Sequence, residues 1–84
     1  LIEYAIQAYE IGLKKEPNAA FYYQLAGLYA TQQNIEKMME YYLDYVETNP
    51  PYINQVMRVL SEYISEDANQ PYNQLFKNVL LKKT

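Results

Sequence analysis

The sequence predicts an all-α chain of five short helices packed as antiparallel pairs. Three observations carry that prediction. Apolar residues recur at the three-and-four spacing of one helix face. Pro and Asn interrupt that spacing at short, regular intervals. Core positions superpose when the 84-residue chain is shifted along itself by 33 or 34 places.

The first helix spans Ile2 to Lys15, where Ile2, Ala5, Ile6, Tyr9 and Leu13 form an apolar stripe. Glu3 near its start and Lys14 and Lys15 at its end suit the helix dipole. Pro17 cannot continue this helix, and Asn18 is placed to cap the next. The second helix runs from about Ala19 to Ala30 with Tyr22, Leu25, Ala26 and Tyr29 as its buried side. The stretch Thr31 to Asn34 breaks the period, and Asn34 is available as a cap for the third helix. That helix, Ile35 to about Glu47, carries Ile35, Met38, Tyr42, Tyr45 and Val46 on one side. Glu36, Lys37, Glu40, Asp44 and Glu47 occupy the other side, which is expected to face water.

Asn49, Pro50 and Pro51 stop the third helix and prepare a fourth, because Pro is tolerated in a first turn where its missing N–H would be unpaired anyway. Val56, Val59, Leu60 and Tyr63 mark the buried face of the fourth helix. The polar stretch 65–69 reads as a turn, with Asn69 capping a fifth helix that starts at Gln70 and Pro71 and ends at Lys82 and Lys83. Tyr72, Leu75, Phe76 and Val79 are its expected inner face. The connections are short and none is rich in Gly or Ser, so the chain is one domain whose neighbouring helices run antiparallel.

Composition bounds the function. A chain of this length buries only about 60% of the surface its unfolded state exposes, so the core must use large side chains. Eleven Tyr and two Phe supply them. A net charge of −3 and a pI near 4.8 give no basic field for a phosphate backbone, so nucleic acid is not an expected partner. The chain has no Cys and no His, which removes thiol chemistry, the commonest metal ligand and the commonest acid–base group at neutral pH. No catalytic residue, cofactor or metal is therefore predicted. No apolar run approaches the ~18 to 20 residues of a membrane span, and no membrane insertion is expected. The chain begins at Leu1, which suggests a piece of a longer parent chain.

Carboxylates at helical spacing, Glu36/Glu40, Glu40/Asp44 and Glu62/Glu66, lie on polar faces and read as solvated surface. Most tyrosines sit at repeat core positions; Tyr23, Tyr41 and Tyr52 do not.

The internal repeat identifies a family resemblance. Tyr22, Leu25, Ala26 and Tyr29 superpose on Val56, Val59, Leu60 and Tyr63 at an offset of 34. Ala5, Tyr9, Gly12 and Pro17 superpose on Met38, Tyr42, Tyr45 and Pro50 at 33, and these on Tyr72, Phe76, Val79 and Thr84 at 34. The spacing resembles the tetratricopeptide repeat family, whose unit is aromatic-x2-Leu-Gly/Ala-x2-Tyr, then Ala-x3-Phe-x2-Ala, then Pro. On this resemblance residues 1–17 are the second helix of a truncated repeat, 18–50 a full repeat and 51–84 a divergent one, about two and a half repeats in all. Large residues at Met38, Tyr42 and Tyr45, and Val56 with Leu60 in the third unit, depart from the family pattern.

The resemblance implies a right-handed superhelix in which the first helix of each unit lines a concave groove for a peptide or partner helix. Opposite the buried stripe of the second helix lie Ala20, Gln24, Gly27 and Thr31, with Tyr23 at the edge. One period on lie Asn54, Arg58, Ser61 and Ser65, with Met57 at the edge. Tyr23, Gln24, Asn54, Met57, Arg58 and Ser61 are thus the expected partner-binding residues. Arg58, the only Arg, could meet a carboxylate through two hydrogen bonds. The family's chaperone-binding branch holds a peptide's C-terminal carboxylate with Lys, Asn and Arg on this face, and only Arg58 matches that set. The expected role is a non-catalytic interaction module or scaffold. The alternative is an internal spacer packed against neighbouring repeats of the parent chain through Ile2, Leu13, Leu80 and Leu81.

Overall fold

The computed structural model describes residues 1–64 and 71–83. It is all-α: among the described residues there are five α-helices and no strand. These are α1 (Ile2–Lys15), α2 (Ala19–Thr31), α3 (Ile35–Thr48), α4 (Ile53–Leu60) and α5 (Pro71–Lys83), with a 3-10 turn at Pro50–Tyr52 before α4.

The helix ends follow from side chains that find orphan backbone groups. Asn18 caps α2 by accepting from the Ala20 amide at 2.9 Å. Asn34 serves two helices. Its amide donates to the Tyr29 carbonyl while that of Gln33 donates to Ala30, the paired bonds of a Schellman end, and Gln33 takes the left-handed conformation this end needs at φ 62°. The Asn34 side chain then accepts from the Lys37 amide to start α3. One residue thus makes the turn between α2 and α3 tight.

Helix α1 packs on α2 and α2 on α3, as the short turns require. Gly12 sets the first contact: a Cβ there would lie 2.8 Å from Phe21 Cε2, so any larger residue would have to displace the Phe21 ring, which also meets Tyr9 at a centroid distance of 5.3 Å. Helix α3 is the hub, touching α2, the 3-10 turn, α4 and α5. Among the described residues the backbone of α5 comes close to α3 and not to α4. Those two helices meet through a shared core instead, in which Val56, Leu60 and Val79 join Ala26, Ile35, Met38, Met39 and Tyr42.

Four expectations change. Helix α4 is shorter than its apolar pattern: it ends at Leu60, and Tyr63 and Ile64 lie in the turn that follows, half-buried against the core. Met39 is buried although the periodicity left it off the apolar side, because a helix packed on several neighbours buries a wider arc than one stripe. The acidic side of α3 does not simply face water. Glu36, Glu40 and Asp44 are half-buried and paired with the end of α5, where Lys82 Nζ lies 2.9 Å from Glu36 and 4.0 Å from Glu40, and Lys83 pairs with Asp44. Tyr72, expected inside, is exposed and meets Tyr63 edge-on at 5.9 Å. The predicted turn at 65–69, the Asn69 cap and Gln70 lie outside the described residues.

Candidate functional site

The residues singled out for binding fall into two environments. Gln24, Asn54, Arg58 and Ser61 are exposed, and so are their neighbours in the two rows, Ala20, Gly27 and Thr31. Asn54 and Arg58 make no side-chain hydrogen bond or ion pair with another described residue, whereas Ser61 Oγ donates to the Arg58 carbonyl at 2.7 Å, closing the end of α4. Beside them Tyr52 and Ile53 are 46% and 40% exposed. Ser65 lies outside the described residues.

Tyr23 and Met57 belong to packing. Both are half-buried against the core, and the Tyr23 ring stands edge-on to Tyr42 at 5.8 Å and to Tyr45 at 5.2 Å. The chain of rings continues from Tyr45 to Tyr52 at 5.5 Å. Such pairs add about 0.5 to 1.5 kcal/mol each beyond area burial, so Tyr23 holds α2 to α3.

A polar cluster joins Glu10 of α1, Tyr29 of α2 and Tyr41 of α3, and of these the repeat pattern marks only Tyr29. Tyr29 Oη donates to Glu10 Oε2 at 3.0 Å, and Tyr41 Oη donates to the same oxygen at 2.9 Å. The Tyr29 and Tyr41 rings stack at 5.7 Å with 9° between their planes, and Tyr22 lies 6.2 Å from Tyr41. Glu10, Leu13, Lys14 and Tyr41 line an open cleft of about 340 Å³. Burial, then the hydrogen bond to Glu10 and its charge, push the ionisation of both phenols upward, strongly so for Tyr41. Both therefore keep their hydrogens at neutral pH and remain donors to Glu10.

The sequence flags Tyr41 as lying off the repeat core but gives no sign of its partner. The signal for Glu10 is its position: it follows Ile6 by four residues and precedes Leu13 by three, which puts a carboxylate on the margin of the buried stripe. Among the described residues no group of three or more His, Cys, Asp or Glu is arranged to hold a metal ion. No helix among them is long and apolar enough to cross a membrane. Comparison with known proteins finds no matching family model, no matching curated protein and no matching solved structure.

Proposed function

We propose that the chain is a tetratricopeptide-like helical-repeat module, without catalytic activity, that binds a peptide or partner helix along the outward rows of α2 and α4. The observation that carries this reading is the outer face of α4. Asn54 and Arg58 stand one turn apart, exposed and unengaged by any described residue, beside the exposed apolar side chains of Tyr52 and Ile53. Apolar anchors flanked by polar groups that can donate or accept are what helix-in-groove recognition uses. Gln24 is exposed on α2, and Tyr23 and Met57 are half-buried against the core.

A peptide selected from a display library against the whole chain tests this. Asn54→Ala with Arg58→Ala is expected to weaken that peptide at least about tenfold, the loss typical of hot-spot residues, while the thermal unfolding curve stays in place. Unchanged affinity in the double variant would remove this face as the binding surface.

A second reading, that the chain is an internal spacer between neighbouring repeats, is favoured by the outer face of α1. There Leu1, Tyr4 and Ile11 are 91%, 68% and 55% exposed. Of the residues the sequence assigns to that role, Leu80 and Leu81 are exposed whereas Ile2 and Leu13 are half-buried.

A further inference from the structure

The cluster between α1 and α3 has an unusual hydrogen-bond balance. A phenol has one hydrogen to give, and Tyr29 and Tyr41 both give theirs to Glu10 Oε2. An ionised carboxylate only accepts, and a donating phenol oxygen keeps acceptor capacity. Whatever enters the cleft therefore meets two acceptors, Glu10 Oε1, which receives no hydrogen bond from a described residue, and the phenol oxygen of Tyr41, while the Lys14 ammonium in the same lining is a donor and repels a cation. Lys14, four residues after Glu10, is its natural partner along the helix. Yet the ion pairs among the described residues join Lys37 to Glu40, Lys82 to Glu36 and Glu40, and Lys83 to Asp44, and none joins Lys14 to Glu10. Two fixed phenols hold the carboxylate in place.

A guest complementary to Glu10, Tyr41 and Leu13 brings several donors, a positive charge and an apolar stem. Guanidinium matches each of these, with five N–H donors in a planar fork and weaker hydration than an ammonium. At about 340 Å³ the open cleft is at the small end of ligand sites and has room for an arginine side chain. A single side chain in an open cleft recovers little of the cost of immobilisation, so alone it binds only at millimolar concentration, and tighter binding needs further contacts from the chain that carries it. We propose that the cleft between α1 and α3 receives an arginine side chain of a partner polypeptide, with its guanidinium on Glu10 and Tyr41 and its stem against Leu13. The net charge of −3 adds a general attraction for such a partner. This site is independent of the face of α4 described above.

The test is titration of the ¹⁵N-labelled chain with N-acetyl-arginine amide, and with the lysine, norleucine and free arginine counterparts. The arginine amide is expected to saturate at millimolar concentration, with shifts centred on Glu10, Leu13 and Tyr41, and to bind more tightly than the other three. Glu10→Gln is expected to abolish these shifts. Lys14→Ala, which removes a competing positive charge from the cleft lining without removing a hydrogen bond to Glu10, is expected to tighten binding about twofold, the scale of one charge interaction in water. Weaker binding in Lys14→Ala, equal binding of norleucine amide, or shifts centred elsewhere would overturn the proposal. Tighter binding of free arginine would overturn the assignment to a polypeptide. If Glu10→Gln fails to fold, the Lys14→Ala and norleucine measurements decide.

Discussion

The seam between α2 and α3 and the seam between α3 and α5 share one helix and use different forces. On the first, Tyr22, Tyr23 and Tyr29 of α2 meet Tyr41, Tyr42 and Tyr45 of α3, ring against ring at 5.2 to 6.2 Å. On the second, Val79 enters the core and the helix end is fastened by Lys82 on Glu36 and Lys83 on Asp44. The first joins helices separated by one tight turn. The second joins residues 46 and 39 positions apart, so it closes a far longer loop. Aromatic packing close in sequence makes the part of the fold that forms readily and resists salt; a remote, ion-paired seam makes the part that solution conditions can loosen.

The largest expected effect comes from removing a ring at the first seam. Tyr23→Ala loses its two edge-on contacts and leaves space beside the core, with an expected cost of about 2 to 4 kcal/mol. Tyr23→Phe keeps the ring and is expected to stay within about 0.5 kcal/mol of the parent. Chemical denaturation of the three proteins measures both. A Tyr23→Ala protein as stable as the parent would show that Tyr23 is a surface residue and that the contrast between the seams is misdrawn.

A smaller effect, with a different signature, belongs to the second seam. Lys83→Glu places a like charge beside Asp44 and is expected to cost about 1 kcal/mol at low salt, fading toward zero at about 1 M salt, where the Debye length is roughly 3 Å. Acid should act on the same seam. The hydrogen bond and charge of Lys82 hold the Glu36 carboxyl below its ordinary range. Its stabilising contribution is therefore present above the unfolded value of about 4.3 and is lost as pH falls through the lower folded value. Hydrogen-exchange protection of α5 amides, taken relative to the intrinsic rate at each pH, is expected to fall below about pH 4 before that of α2 and α3. Simultaneous loss of protection in all three helices would mean that α5 docks without help from these pairs.

The two seams were unequally legible in the sequence. The first is written in periodicity: Tyr22, Leu25, Ala26 and Tyr29 fall on one face, and Asn18 and Asn34 cap where their positions suggest. The second is not. An acidic residue every four positions on α3 looks like a solvated face until something positive is laid on it, and the sequence does not say that Lys82 and Lys83 return to Glu36 and Asp44. Glu10 escaped for the same reason, since its partners Tyr29 and Tyr41 are 19 and 31 residues away. Repeats report what each helix does in its own unit, whereas pairs that join units leave no period. Helix α4 shows the converse, with an apolar pattern that runs to Tyr63 although the helix ends at Leu60.

The smallest expected effect calibrates the comparison, because it touches neither seam. Gly27 lies in α2 on the exposed row, and a Cβ there would find nothing within 4 Å. Gly→Ala in an exposed helix interior removes the backbone entropy cost of Gly, so Gly27→Ala is expected to stabilise by about 0.5 to 1 kcal/mol. Gly12→Ala gains the same propensity in α1, but its Cβ would sit 2.8 Å from Phe21 Cε2 and would have to push aside a ring that also packs on Tyr9. Overpacking of this kind costs roughly 1 to 3 kcal/mol, which exceeds the gain, so the expected sign is reversed. Thermal unfolding of the two variants reads both signs. If Gly27→Ala destabilises instead, the outer row of α2 is in contact with something, and the open face on which the proposed binding surface depends is not open.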